Sequence, residues 1–233
     1  MSADFYTIKD FFTLLNQSGI NYLVLRNYEN LLKPEIYIDG HGDIDLLCDN
    51  SREIVELVNA QPKPVSHSRL TDDGIHYLIY VSGQPVQLDL RQVGDGYYCT
   101  EWEKDLLERK VMKDGFYVMA DEDYFYTLAY HAILQKRSLS REYFIRLCHM
   151  ADDLDLSIKE YSESGLLHLL ENHMRERGYR FTYSHDYMVP NRFHVVDSKL
   201  IDRNLSLWWK HCRFDMKVKA IQWLVWLKHA LKL

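Results

Sequence analysis

The chain has 233 residues, 47% of them hydrophobic, which is enough for one large domain or two small ones with a proper core and no covalent staples. Its formal net charge of −6 argues against broad, sequence-independent nucleic-acid binding, which needs many Lys and Arg to displace counterions from phosphates. A small or singly anchored phosphate substrate stays compatible with that charge. Cys48, Cys99, Cys148 and Cys212 are far apart and form no CxxC pair, so neither a zinc site nor a disulfide framework is indicated, and a reducing cytoplasm fits best. Met1 to Asp10 lacks the features of a signal peptide, and no stretch approaches the roughly 18 consecutive apolar residues of a transmembrane helix. The expectation is a cytoplasmic protein whose only membrane association is peripheral.

From Phe5 to Gln17 the apolar residues Phe5, Ile8, Phe11, Phe12, Leu14 and Leu15 recur at helical spacing, with Gly19 as a natural stop. Tyr22 to Arg26 reads as a buried strand, and a loop of about 16 residues containing Pro34, Gly40 and Gly42 follows. Asp43 to Cys48 is a second strand and Ser51 to Ala60 a helix with Ser51 as N-cap. Three further strands are expected near Val65 to Leu70, His76 to Val81 and Val86 to Val93, with turns at Asp72-Asp73-Gly74 and Ser82-Gly83. A connecting helix over Glu101 to Arg109 and a short strand from Phe116 to Met119 close this part. From Asp121 onward the pattern is helical, interrupted between Tyr183 and Asp197 around Pro190. The reading is therefore α/β (α+β), with a mixed-sheet domain over residues 1–120 and a helical domain over 121–233.

Three acids carry the chemistry. In Gly40-His41-Gly42-Asp43-Ile44-Asp45-Leu46-Leu47 the strand period of two puts Asp43 and Asp45 on one face and Ile44 and Leu46 on the other. Like charges a few Å apart raise one another's pKa or demand a cation, and Mg²⁺ is the simplest cation for such oxygen ligands. In Val86-Gln87-Leu88-Asp89-Leu90-Arg91 the polar face carries Gln87, Asp89 and Arg91, so Asp89 suits a neighbouring strand that completes the site. A solvated strand face would also produce Asp-x-Asp. The preceding glycines and the third acid about 44 residues later favour a metal site.

These motifs resemble the DNA polymerase β nucleotidyltransferase superfamily, which has a Gly-rich turn, Asp-hydrophobic-Asp on one strand and a third Asp on a later one. Tyr22-Leu23-Val24-Leu25-Arg26-Asn27-Tyr28 followed by Gly42-Asp43-Ile44-Asp45-Leu46-Leu47 resembles, more closely, nucleotidyltransferase-like proteins of bacterial surface-polysaccharide gene clusters. The resemblance covers about residues 5 to 150. It implies that Asp43 and Asp45 hold two Mg²⁺ ions, with Mn²⁺ as a substitute, together with a nucleoside triphosphate. Asp89 would sit at the metal beside the acceptor. The family places Gly-Gly or Gly-Ser directly after the first strand, whereas this chain has Leu25-Arg26-Asn27-Tyr28, so Arg26 is the candidate to replace the missing amides with a guanidinium fork.

Further phosphate candidates are Gly42, where the backbone can approach a ligand, Arg91, His131 and Lys136; Gln135 shares a helical face with His131, and a hydrogen-bonded histidine beside a surface lysine is the alternative reading of that pair. Lys136 resembles a family lysine that reaches the triphosphate from the helical half, and Tyr143 is expected beside His131. His41, between two glycines, is a solvated loop residue or a substrate contact. From Asp202 to Leu233 the chain carries seven Lys or Arg against two Asp, and four of its five Trp. That composition suits a core helix, or a helix of residues 216–233 lying on a membrane surface or a membrane-bound partner. The function expected is Mg²⁺-dependent transfer of a nucleoside monophosphate to a small-molecule acceptor, such as a sugar precursor. The alternative is a catalytically silent nucleotide-binding scaffold that docks a membrane-bound polysaccharide enzyme.

Overall fold

The computed structural model describes residues 4–33, 42–63 and 73–230, apart from the side chains of 225 and 228–230. Gly40, His41 and the strand expected over Val65 to Leu70 lie outside the described residues. The first helix, α1, runs over Ile8–Ser18 and not from Phe5. Its start is set by a capping box in which Thr7 accepts from the Asp10 backbone N–H and Asp10 accepts from that of Thr7. Phe5 belongs instead to a two-residue strand, β1 (Asp4–Phe5), and Gly19 ends α1 in the left-handed conformation (φ 72°) that its missing Cβ permits. Ile8, Phe11, Phe12 and Leu15 face the core.

The remaining strands are β2 (Tyr22–Val24), β3 (Asp43–Cys48), β4 (Gln61–Pro62), β5 (His76–Val81), β6 (Gln84–Gln92), β7 (Val111–Lys113) and β8 (Phe116–Val118). They form one mixed sheet in the order β1-β5-β6-β3-β2-β8-β7, with β4 also on β5. The fold is α/β. The centre of the sheet matters most: β3 pairs antiparallel with β2 and parallel with β6. Helix α2 (Ser51–Val58) lies in the crossover between β3 and β6, and its N-cap is Asn50, not Ser51. The Asn50 side chain accepts from Arg52 N–H at 3.2 Å, while the Ser51 hydroxyl donates to Gln92 Oε1 at 2.9 Å. The β5–β6 hairpin turns at Ser82-Gly83, both at positive φ, as expected of a two-residue turn that matches strand twist. A similar turn at Asp114-Gly115 pairs β8 with β7, a strand the sequence pattern did not disclose.

Helices α3 (Thr100–Arg109), α4 (Asp121–Leu134), α5 (Arg141–Asp153), α6 (Glu163–Arg177) and α7 (Leu205–Ala230) follow. From Asp123 to Leu134 every residue of α4 is buried, including the polar Asp123, Thr127 and His131, which follow one another at helical spacing and are each hydrogen-bonded. One continuous apolar cluster spans Phe11, Leu46 and Leu88 of the sheet half and Phe125, Leu147 and Leu170 of the helical half. Trp102 on α3 stacks on Tyr179 at 5.3 Å, and Arg109 donates to Asp123 on α4 through Nε (3.0 Å) and Nη2 (2.7 Å). The non-helical segment between α6 and α7 runs from Gly178 to Asn204 and holds two 3-10 turns, so it is longer than the break expected around Pro190.

Candidate metal centre

The parallel β3–β6 register sets Asp45 directly beside Asp89 and Asp43 beside Gln87. Strand alternation then turns Ile44, Leu46, Leu88 and Leu90 into the core and leaves the three acids on one face. One carboxylate oxygen from each of Asp43, Asp45 and Asp89 lies within 4.8 Å of the others. Asp45 and Asp89 are buried, while Asp43 is open to solvent at the N-terminal end of β3. Although Asp43 is accessible as a whole, its carboxyl is drawn in beside the other two acids, and that partial burial, followed by the charges of Asp45 and Asp89, pushes it up to about 6. Asp89 is likewise raised, by burial first and Asp45 second. Converging, partly dehydrated carboxylates that repel one another are a ligand set for a hard divalent cation, and the all-oxygen donors suit Mg²⁺ or Mn²⁺.

Of the groups around the triad, the sequence pointed to Arg26 as a phosphate candidate but not to Tyr97, Tyr124 or Arg146. Arg26, just past β2, donates from Nη2 to Asp45 Oδ1 (2.7 Å) and from Nη1 to the Tyr97 hydroxyl (2.5 Å). It is therefore the triad's nearest cationic counter-charge, and despite the cost of burial Asp45 and Tyr97 keep it firmly charged. Asn27 occupies the left-handed region (φ 56°, ψ 28°). That is the conformation a glycine would supply, so the turn keeps a glycine-like backbone although its sequence has none. Its N–H donates to the Tyr124 hydroxyl (3.2 Å), and Arg146 of α5 donates to Tyr124 (2.6 Å), to Asn27 Oδ1 (3.3 Å) and to Glu29. Arg146 and Tyr124 thus tie the turn to the helical half.

Gly42 stands immediately before Asp43, half-buried. Arg91, on the same strand face as Asp89, lies buried, with Nη2 donating to Asp186 (2.9 Å) and its guanidinium 4.5 Å from the centre of the Tyr97 ring. It was expected to face a phosphate. Placed here it braces the Tyr97 ring from below, and its remaining nitrogens Nε and Nη1 meet no acceptor among the described residues. His131 and Gln135 share one face of α4 as the helical period requires: Gln135 Nε2 donates to the Tyr97 carbonyl (3.0 Å), which turns its Oε1 toward His131 Nδ1 (3.1 Å). Burial, then the charges of Arg26 and Lys136, hold His131 well below the usual imidazole range, so it is neutral. Lys136 is exposed just beyond the end of α4, and Tyr143 meets the His131 ring edge-on at 5.9 Å.

Two groups flank Asp89, of which His76 is visible only once β5 is paired with β6, while Gln87 shares its face of β6. His76 is the cross-strand neighbour of Asp89, and its Nδ1 is 2.6 Å from Asp73 Oδ2. Gln87 donates to Asp89 Oδ1 (3.0 Å) and accepts from Lys63. The signal in the sequence was present but weak: Asp73 and His76 flank a turn, and nothing local says which strand will receive them.

No family model matches the chain, and no curated protein matches it. Among solved structures, a nucleotidyltransferase-like antigenic protein from Paracoccidioides brasiliensis is similar over 73% of this chain and 87% of its own, with a TM-score of 0.39 and 14% identity. At that degree of overlap the functional argument rests on the site itself, a three-carboxylate centre at the junction of two parallel strands with an arginine paired to its middle acid.

Proposed function

We propose that the protein is a metal-dependent nucleotidyltransferase that moves a nucleoside monophosphate from a nucleoside triphosphate to a hydroxyl or phosphate of a small molecule, with a sugar precursor as the acceptor class. The observation that carries this reading is the convergence of Asp43, Asp45 and Asp89 within 4.8 Å on one sheet face. Asp43, Asp45 and Asp89 would hold the cation, and Asp89 would also orient the attacking oxygen of the acceptor. Bound Mg²⁺ supplies a lowered pKa for that oxygen and screening for the departing pyrophosphate. Arg26 offers a fixed guanidinium beside Asp45, the Asn27 turn lets backbone approach the triphosphate, and Lys136 with neutral His131 lines the helical side. The sheet half thus carries the chemistry, and the helices from Asp121 onward contribute phosphate contacts.

The Arg26–Asp45 ion pair favours one competing reading, a nucleotide-binding protein that does not transfer, because the guanidinium already neutralises a ligand the metal would need. A thermal-shift screen of the four nucleoside triphosphates with Mg²⁺, Mn²⁺ or EDTA addresses both, since a ligand that binds only the folded state raises the melting temperature. Metal-dependent stabilisation by one nucleotide, with pyrophosphate released on adding a sugar or sugar phosphate, is the expected result. Stabilisation without pyrophosphate release for any acceptor favours the silent reading, and no metal-dependent shift at all refutes nucleotide binding at the triad.

A further inference from the structure

The last helix carries a surface that the metal centre does not use. Helix α7 is tied down near its first half: His211 is buried, with Nε2 2.7 Å from the Ser184 carbonyl and Nδ1 3.1 Å from the Asn191 amide. Phe214 and Val218, on the same side, are half-buried. At 3.6 residues per turn, Leu205, Trp209, Met216, Ala220, Trp223 and Leu227 form a second apolar stripe turned away from that side. Leu205 is 74% exposed, Trp209 51%, Met216 56% and Trp223 60%. The stripe's outer residues are 22 positions apart, about 33 Å of helix. Lys210, Arg213 and Lys217 run along one flank and Lys219 lies on the other, all four exposed. The chain as a whole is acidic, yet α7 has five Lys or Arg against the single Asp215.

We infer that this stripe lies flat on an anionic lipid surface, with its basic flank on the headgroups and Trp209 and Trp223 in the interfacial layer. Three observations select that occupant. An apolar stripe this long, joined toward the end of the helix by exposed Ile221, Leu224 and Trp226, is not left in water by a monomeric protein without a partner. A second copy of the chain would set Lys210, Arg213, Lys217 and Lys219 of one helix against the same charges of the other, with only Asp215 to offset them, whereas an anionic bilayer complements all of them. Tryptophans with interleaved lysines are the side chains that prefer the headgroup boundary. No described helix is long and apolar enough to cross a membrane, so the contact is in plane. Because the net-negative remainder of the chain is repelled by such a surface, the docked protein would hold its body off the bilayer. The inference stands apart from the nucleotidyltransferase reading.

The test is co-sedimentation of the full chain with vesicles of phosphatidylcholine alone and of phosphatidylcholine with about one-third phosphatidylglycerol, at low salt and at about 0.5 M salt. Sedimentation with the anionic vesicles only, reversed by salt, is expected. The paired replacement Trp209→Ser with Trp223→Ser should abolish it while leaving the melting temperature unchanged, because neither ring supports the fold. Lys217→Glu with Lys219→Glu should weaken it at least about tenfold. Failure of the parent chain to sediment with anionic vesicles overturns the inference, as does unaltered sedimentation of the tryptophan variant. A marked fall in that variant's melting temperature would mean the stripe packs inward. A dimer in sedimentation equilibrium that the tryptophan replacements dissociate, without vesicle binding, would assign the surface to a second copy.

Discussion

Replacing Asp43 by Asn should make the metal-free protein more stable and the metal-bound protein no more stable than that. Asp43 faces Asp45 and Asp89 with Arg26 as a nearby offset; partial burial of its carboxyl first, and the two neighbouring charges second, raise it from the ordinary range to about 6. Such a displacement corresponds to about 3 kcal/mol if the group were fully shielded. Asp43 is exposed, so solvent screening reduces the figure to about 1 kcal/mol, or roughly 2–4 °C in melting temperature for a protein of this size. The sign follows from linkage. A carboxyl that binds its proton more tightly when folded is harmless well below pH 4, where it is protonated in both states; it destabilises increasingly as pH rises from there to about 6, above which the penalty is constant because both states are ionised. In EDTA, the Asp43→Asn variant should therefore melt above the parent at pH 7.5, and the difference should vanish toward pH 4. Added Mg²⁺ should raise the parent's melting temperature and leave the variant's almost unchanged. Differential scanning fluorimetry from pH 4 to 8, with EDTA or Mg²⁺, reads all of this. A variant that melts below the parent in EDTA at pH 7.5, or that keeps the full Mg²⁺ shift, would refute the account of mutual repulsion relieved by a cation.

Asp45→Ala should behave differently, because it strands the buried Arg26 guanidinium. A loss of about 3 kcal/mol in chemical denaturation is expected, and a loss under about 1 kcal/mol would mean that the ion pair is dispensable. Asp89→Asn should lower turnover on an identified acceptor by far more than it weakens nucleotide binding, since the role proposed for it is on the acceptor side. Equal losses in single-turnover rate and in nucleotide affinity would place it on the nucleotide instead. Arg109→Ala should cost about 2 kcal/mol by leaving Asp123 buried without its two charge-assisted bonds, and a stability within about 0.5 kcal/mol of the parent would show that the α3–α4 link contributes little.

Much of the centre is written locally. The shared face of Asp43 and Asp45 follows from the two-residue period of any strand, and the apolar alternation of Ile44 and Leu46 against them fixes which face enters the apolar core. The stop at Gly19, the turn at Ser82-Gly83 and the common face of His131 and Gln135 are local in the same sense. The Thr7 to Asp10 capping box was also present in the sequence, and it outranked the periodicity that drew Phe5 into the first helix. The stripe on α7 is legible as spacing, but with apolar residues on both sides of the helix the sequence could not say which side the domain would cover.

The tertiary structure alone decided what meets what. Asp89 joins the acids because β6 pairs in parallel with β3 in the register that aligns it with Asp45. A shift of one residue would have put Leu88 or Leu90 there and turned the acid into the core. The partners of Arg26 and Arg91, Asp45 and Asp186, follow from that same packing, as does the placing of His76 beside Asp89. Periodicity is a property of a few consecutive residues and survives in the sequence. Register and ion pairing join positions tens of residues apart, and they are settled only when the buried faces of separate elements compete for the same core.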